Sequence, residues 1–136
     1  MKIVADHRQD NPYRTTLVRE LVAYNDKNAP PENWQYAGFY ALSDEGQLLG
    51  GIQGNFEWDW LHLTHLWVRE AGRGLGRQLV ENAEAFAKEK GKRGIFLDTL
   101  DFQARPFYEK LGFTVVGKIE NAAGSNARYF MSKHIS

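Results

Sequence analysis

The segment Leu61–Val80 carries the residue pattern with the clearest chemical use. It consists of an apolar strand pattern, three glycines at alternate positions and an amphipathic helical pattern. Glycines let a backbone approach a ligand closely, and the first turn of a helix presents unpaired N–H groups and partial positive charge to an anion. Two arginines add full charges, so we expect a phosphate or diphosphate ligand; the alternative is a turn that simply needs glycine. The residues concerned are Gly72, Arg73, Gly74, Leu75, Gly76 and Arg77.

The sequence excludes two common nucleotide-binding loops. The dinucleotide pattern Gly-x-Gly-x-x-Gly fails, because Leu79 stands where the third glycine would follow Gly74 and Gly76. A P-loop needs Gly-Lys-Ser or Gly-Lys-Thr, and neither occurs. The phosphate therefore belongs to a different ligand.

Length and composition predict one domain over residues 1–136, long enough to bury its own core. Seventeen basic and seventeen acidic residues give zero net charge, so no overall field attracts nucleic acid or an anionic membrane. The chain has no cysteine, which excludes thiol nucleophiles and fits a reducing compartment. No apolar run is long enough to span a membrane, and residues 1–10 are too polar for a signal peptide. We expect a cytoplasmic protein.

The hydrophobic pattern predicts the order βαβββαβαββ, an α/β fold with a mixed, mostly antiparallel central sheet flanked by helices. A first strand over Lys2–Arg8 precedes a helix that begins at Asn11-Pro12, with an apolar stripe expected to face a core. Glycines 50, 51 and 54 are typical of a bulge or a close backbone approach. The remaining predicted strands are Tyr36–Ser43, Leu48–Phe56, Leu61–Val68, Ile95–Leu100, Phe113–Ile119 and Ala127–His134, and the helices are Pro12–Lys27, Leu75–Lys90 and Gln103–Leu111.

Two motifs resemble those of the GCN5-related N-acetyltransferases. Gly72–Leu79, after a strand that ends at Val68, is similar to the family's acetyl-coenzyme A loop, Gln/Arg-x-x-Gly-x-Gly/Ala. Asp101–Phe113 resembles the family's second motif, Asn-x-x-Ala-x-x-Phe-Tyr-x-x-x-Gly-Phe, with Asp101 in place of Asn. The first motif aligns either with Ala71 or with Arg69 at its first position.

The resemblance implies acetyl-coenzyme A as co-substrate and no metal. It implies that a backbone N–H at the end of the strand before the loop meets the thioester oxygen. It also implies that Tyr108 acts as general acid toward the departing thiolate. The implied coenzyme-binding residues are Leu66, Trp67, Val68, Gly72, Arg73, Gly74, Leu75, Gly76, Arg77, Asp101, Ala104 and Tyr108.

A group or water chain must take the proton of the incoming amine, because freeing a lysine-like amine at pH 7 costs roughly 4.6 kcal/mol. The candidate bases are Glu57, Asp59 and His62. His65 stands three residues after His62, so strand alternation predicts the opposite sheet face and argues against a two-histidine metal site.

The resemblance implies a single-domain enzyme that transfers an acetyl group to the primary amine of a small molecule. Direct attack in a ternary complex is expected, since no cysteine can carry an acyl group. Three alternatives stay open: a non-catalytic acyl-coenzyme A sensor, an acetyltransferase for protein N-termini or lysines, and a protein-interaction domain without coenzyme. Trp58 and Trp60 form either a cage for a cationic amine or part of a homodimer interface.

Overall fold

A computed structural model describes residues 1–136, which form two compact units, Met1–Glu32 and Asn33–Ser136. The first unit contains helix α1, Arg14–Asn28. The helix begins at Arg14 with Tyr13 at the N-cap, two residues later than predicted. Asn11 lies in the preceding turn, where its side-chain oxygen accepts hydrogen bonds from the backbone N–H groups of Tyr13 (2.9 Å) and Arg14 (3.1 Å). None of the three helices in the chain has the length and hydrophobicity that crossing a bilayer would need.

Two expectations for the first unit are wrong. Residues 2–8 form no strand, because a strand needs backbone partners; the Arg8 guanidinium instead donates to the Asp6 carboxylate at 2.6 Å. The expected burial of the apolar stripe of α1 is not observed: no residue of the helix is buried, and Leu17 is 71% exposed. A unit of this size with one helix cannot enclose a core of its own.

The second unit is built on a six-stranded sheet in the order β1-β2-β3-β4-β6-β5. Every neighbouring pair is antiparallel except β3 and β4, which are parallel. The mixed, mostly antiparallel α/β fold is therefore confirmed, with the predicted order of elements from α1 onward. Its elements are β1 (Tyr36–Leu42), β2 (Leu48–Glu57), β3 (Trp60–Val68), α2 (Leu75–Glu89), β4 (Gly94–Leu100), α3 (Arg105–Lys110), β5 (Thr114–Ala123) and β6 (Asn126–His134).

The core lies between one face of the sheet and helix α2. Alternate residues of β2 and β3 point into it, as period-two strands require, and α2 contributes one helical face. This packing holds β3 and the start of α2 in a fixed relation. Among the buried residues are Ile52, Phe56, Leu61, Val80, Ala83, Ala87, Ile95 and Met131.

The parallel strands β3 and β4 separate after a short paired stretch. They pair only over Trp60–His62 and Gly94–Phe96. Beyond that stretch β3 continues to Val68 and β4 to Leu100 without pairing to each other. A cleft opens where a sheet would otherwise be continuous, and its edges carry backbone groups that have no partner strand there.

A bulge interrupts β3 opposite Gly54, in agreement with the prediction for the β2 glycines. The pairing shifts between Gln53 and Gly54, so Thr64 is the extra residue of β3. A Cβ on Gly54 would collide with the carbonyl oxygen of His62, which explains why glycine stands there.

Candidate active site

The predicted phosphate loop lines a cavity of about 550 Å³ with the end of β3 and helix α3. Gly72 and Gly74 both have φ +79°, a left-handed conformation that favours glycine, and Gly74 is the residue from which α2 starts. No atom of another residue lies within 4 Å of where their Cβ atoms would be, so the loop surface is open to a ligand. Ten predicted coenzyme-binding residues line this cavity: Leu66, Trp67, Val68, Gly72, Arg73, Gly74, Leu75, Gly76, Arg77 and Ala104.

The third glycine has a packing role. Gly76 lies inside α2, where a Cβ would be 3.2 Å from the Cζ of Phe107. Because Gly76 has no side chain, α3 can approach the first turn of α2 closely. The spacing of the glycines therefore serves two purposes, a ligand surface at positions 72 and 74 and helix contact at position 76.

The positive charges of this cavity are available to a polyanion. Arg73 lies 3.3 Å from the Glu70 carboxylate and Arg77 lies 3.1 Å from Glu81. Both pairs are exposed, and exposed ion pairs contribute little to stability, so an anionic ligand can displace them. Lys110 of α3 adds a third positive charge that the sequence analysis missed.

A second cavity of about 430 Å³ fills the cleft between β3 and β4. It shares Leu66–Val68 with the first cavity, so the two meet along the end of β3. The backbone N–H of Arg69 donates to the carbonyl of Leu49 on the β2 side at 2.8 Å. Because N–H groups alternate along a strand, those of Val68 and Leu66 point to the opposite edge, into the cleft.

Tyr108 lines the second cavity from α3 and is 7% exposed. Its ring packs edge-on against Phe107 and Phe113. Burial raises the pKa of Tyr108 to about 12, because the charged phenolate is poorly solvated there. The hydroxyl therefore stays protonated at neutral pH and acts as a hydrogen-bond donor.

Asp101 lies outside both cavities, unlike the other predicted coenzyme-binding residues. Its carboxylate accepts a hydrogen bond from the backbone N–H of Ala127 at 2.7 Å, and its own N–H donates to the Ala127 carbonyl at 3.0 Å. The bond from Ala127 lowers the pKa of the Asp101 carboxyl. The acid therefore ties the end of β4 to the start of β6.

Gln103 does line both cavities, although the sequence analysis did not select it. Its side-chain oxygen accepts hydrogen bonds from the Leu100 N–H (2.7 Å) and the Thr99 hydroxyl (3.3 Å). The residue shapes the turn that carries Ala104 and α3. Phe107 and Leu111 were missed in the same way, because their pattern in the second motif indicates only a core helix.

Glu57 and His62 line neither cavity: Glu57 ends β2, and His62 directly precedes Leu63, where the lining of the second cavity begins. The His62 ring stacks on Phe96 with centroids 4.4 Å apart, and its Nδ1 is 3.5 Å from the Glu57 carboxylate. Val68, next to the glycine loop, lies six residues after His62 along the strand, which is about 20 Å. The structure therefore places His62 and Glu57 away from the loop cavity and outside the lining of the cleft cavity.

The other residues of that acidic, aromatic segment also lie apart from the cleft. Asp59 pairs with Arg93 at 3.5 Å. Trp58 and Trp60 line a separate depression with Glu57 and Phe96. Neither tryptophan lines the two cavities where the predicted coenzyme residues meet.

The prediction that His62 and His65 face opposite sides is wrong because of the bulge. His62 pairs with Asn55 and His65 with Gln53, which are two residues apart on β2 and so share a face. The bulged Thr64 adds the residue that restores His65 to the face of His62. His65 lines the second cavity, together with Asp98 and Tyr108. No three His, Asp or Glu side chains in the chain lie close enough to hold a metal ion.

A mixed sheet that opens between two parallel strands, with a glycine-rich loop at the opening, agrees with the class of protein that the two motifs predicted. The sequence matches the Acetyltransferase (GNAT) family over residues 4–113. The chain therefore belongs to the GNAT family, and the resemblance is confirmed.

Similar proteins agree with this assignment. A blasticidin-S acetyltransferase from Streptomyces morookaense is 42% identical over 83 residues, which are 59% of this chain and 61% of that protein. The crystal structure of an acetyltransferase from Bacillus cereus superposes with a TM-score of 0.89 at 29% identity, covering 98% of each chain. A structure from Bacillus anthracis, assigned as a streptothricin acetyltransferase in complex with acetyl coenzyme A, has a TM-score of 0.66 at 24% identity and covers 83% of this chain and 68% of that one.

Proposed function

We propose that this chain is an acetyl-coenzyme A-dependent N-acetyltransferase whose acceptor is the primary amine of a small molecule. The observation that carries the proposal is the meeting of the two cavities along Leu66–Val68. One cavity offers an anion-binding loop and the other an open strand edge, so one elongated ligand can occupy both. The family match spans parts of both compact units, and we propose that residues 1–136 act as one acetyltransferase domain.

The loop cavity is suited to the diphosphate of the coenzyme. Backbone N–H groups ahead of α2 and the positive end of its dipole attract a negatively charged ligand. Arg73, Arg77 and Lys110 add positive charge to the same cavity. Glycine at positions 72 and 74 leaves room for phosphate oxygens against the main chain. The Bacillus anthracis structure with the same fold is a complex with acetyl coenzyme A, which supports acetyl-coenzyme A as the co-substrate.

The cleft is suited to the acyl transfer. The N–H groups of Leu66 and Val68 are fixed donors that can stabilise negative charge on the thioester oxygen. Tyr108 can donate a hydrogen bond to the departing sulfur. Full proton transfer from a phenol of pKa about 12 to a thiolate of pKa near 8.5 is uphill by about 5 kcal/mol, so we assign Tyr108 a hydrogen-bonding role.

A small-molecule acceptor is supported by the relatives and by the charge of the chain. Blasticidin S gives its name to the acetyltransferase that is 42% identical, so amine-bearing antibiotics are the first acceptors to test. Zero net charge provides no basic surface field for a nucleic acid or an anionic membrane. A cytoplasmic location and a homodimer through Trp58 and Trp60 stay predictions.

The test is amine-dependent release of coenzyme A from acetyl-coenzyme A. The panel contains blasticidin S, a streptothricin, polyamines, amino acids and lysine peptides, with mass spectrometry of each product. We expect release with at least one small amine and a monoacetylated product. Coenzyme binding without release from any amine would indicate a sensor module, and release only with peptides would overturn the small-molecule acceptor.

Initial rates at varied concentrations of both substrates test the direct attack. A ternary complex predicts intersecting double-reciprocal lines. Parallel lines would indicate a covalent acetyl-enzyme and would contradict the proposal.

A further inference from the structure

We propose that His65 accepts the proton of the incoming amine and that Thr64 and Gln53 position its ring. This inference rests on the proposed function, because it assigns a base to the acetyl transfer. It replaces the candidates Glu57 and His62, which line neither of the two cavities.

The location of His65 fits a base. It lines the cleft cavity together with Tyr108, and it directly precedes Leu66, whose N–H points into that cleft. The imidazole is exposed to solvent, so a proton taken from a ligand can pass on to water. The bulge at Thr64 is what turns His65 toward this face of the sheet.

Thr64 fixes the tautomer of the ring. Its hydroxyl donates its one proton to the backbone carbonyl of Gln53 at 3.2 Å. The hydroxyl oxygen can then only accept, and the nearest donor is the His65 Nδ1 at 3.0 Å. The hydrogen therefore sits on Nδ1, which leaves a lone pair on Nε2 to take a proton.

Gln53 connects the ring to two tyrosines and supports the same tautomer once its amide is turned over. Its amide nitrogen lies 3.2 Å from the His65 Nδ1, and its amide oxygen accepts from the hydroxyls of Tyr36 (2.6 Å) and Tyr40 (3.1 Å). A half-turn of the amide exchanges its oxygen and nitrogen and keeps these contacts. With the oxygen toward the ring, Gln53 accepts from Nδ1–H and its NH2 group donates to the tyrosine oxygens.

The proton and bond balance of the step is complete. The ammonium first gives one proton to Nε2, which passes it to solvent. The neutral amine nitrogen then bonds to the acetyl carbon, the carbon–sulfur bond breaks, and the second N–H proton leaves to solvent through the same imidazole. The coenzyme leaves as a thiolate. The titratable groups that share the cavity or the network are Tyr36, Tyr40, Tyr108 and Asp98, and Asp98 is paired with Arg128 at 3.5 Å.

The experiment compares His65→Gln with His62→Gln and His134→Gln, using acetyl-coenzyme A and the panel amine that releases coenzyme A fastest. His134 contacts Trp60 where β3 and β4 are paired, lines neither cavity and serves as the matched control. At pH 7 we expect His65→Gln to lower kcat/KM for the amine about 100-fold, with acetyl-coenzyme A affinity by calorimetry within twofold. The other two variants keep more than half of the wild-type value.

The pH profile separates a base from a structural residue. As the pH approaches the pKa of the free amine, the acceptor arrives unprotonated, so the deficit of His65→Gln shrinks. A deficit that is equal at every pH, a His65→Gln rate within threefold of wild type, or an equal loss in His62→Gln overturns the proposal.

Gln53 is tested as a positioning residue. Gln53→Leu lowers the rate about tenfold at pH 7, and Gln53→Glu, which keeps an acceptor for Nδ1–H, restores most of it; equal loss in both overturns the role of the amide. If wild-type protein shows no amine-dependent release, the proposed function fails and His65 loses its role with it. If wild type is active and His65→Gln is equally active, only the assignment of His65 fails.

Discussion

The two ends of strand β3 have the same backbone conformation and opposite uses. At one end, Trp60–His62, the strand is paired on both sides, and the buried Leu61 packs in the core. At the other end, Leu66–Val68, β4 has separated and only β2 remains paired. The first end therefore contributes stability, and the second offers free backbone donors to a ligand. The point at which β4 separates from β3 therefore determines which backbone groups of β3 are open to a ligand.

The two histidines of β3 show the same contrast. His62 stacks on Phe96 beside a carboxylate, in the paired region. His65 stands in the open region, with hydrogen-bonding partners on one ring nitrogen and the cleft beside it. Both residues are histidines of the same strand. Their positions relative to the cleft therefore decide which imidazole can contact a substrate.

Truncation in the paired region has the largest expected effect, and it falls on stability. Leu61→Ala removes a fully buried side chain and should lower the free energy of unfolding by about 3–4 kcal/mol, with unchanged coenzyme affinity of the folded fraction. Leu66→Ala, at the half-buried open end, should cost less stability and weaken coenzyme binding. Urea unfolding and calorimetry measure both, and the reverse pattern would remove the distinction between the ends.

The free energy of unfolding at alkaline pH depends on Tyr108, which lies at the open end. Burial raises the pKa of Tyr108 from about 10 to about 12, so both folded and unfolded states are protonated below pH 10. Above pH 10 the unfolded state ionises first, and about 3 kcal/mol of stability is lost between pH 10 and 12. Denaturant midpoints across this range should fall more steeply for wild type than for Tyr108→Phe. Parallel curves would mean that the phenol is not buried in solution.

Substitution of a loop glycine should weaken coenzyme binding by more than backbone strain alone explains. Gly74→Val strains a residue at φ +79° and should raise the Kd for acetyl-coenzyme A about 30-fold to 100-fold, because the loop relaxes and its N–H groups turn away. Gly46→Val is the matched control: Gly46 has φ +84° in a hairpin turn, also with no neighbouring atoms within 4 Å. An equal loss of affinity in both variants would show that strain alone, not the loop, explains the effect.

The smallest expected effect is that of one hydrogen bond to the leaving sulfur. Tyr108→Phe keeps the ring packing against Phe107 and Phe113 and removes the hydroxyl. We expect kcat to fall about tenfold, with coenzyme affinity within twofold. Stopped-flow turnover and calorimetry measure these separately, and an unchanged kcat would remove Tyr108 from the transfer step.

Much of this fold could be predicted because its local signals agree with its packing. The glycines at positions 72–76 predicted a loop, and the apolar periodicity that follows predicted helix α2, which begins at Leu75 as predicted. The strand over residues 2–8 failed because alternation indicates a strand but not a partner for it. β5 extends to Ala123, beyond the predicted strand end at Ile119, because Ala123 pairs with Asn126 of β6.

The site was less predictable, since it depends on register and divergence. A single extra residue at Thr64 reverses the face of His65, and nothing in the local pattern of β3 indicates which residue is bulged. The separation of β3 from β4 is a tertiary property, so strand periodicity could not show that Glu57 and His62 stand far from the loop. Asp101 matched a motif position but serves the backbone of β6.

Amide hydrogen exchange with and without acetyl-coenzyme A tests the central claim most directly, because it reads both ends of β3 in one experiment. We predict new protection at the amides of Leu66, Val68 and the loop residues 72–77, and no change at Trp60–His62. Protection at the paired end with none at the open end, or no difference at either, would contradict the account.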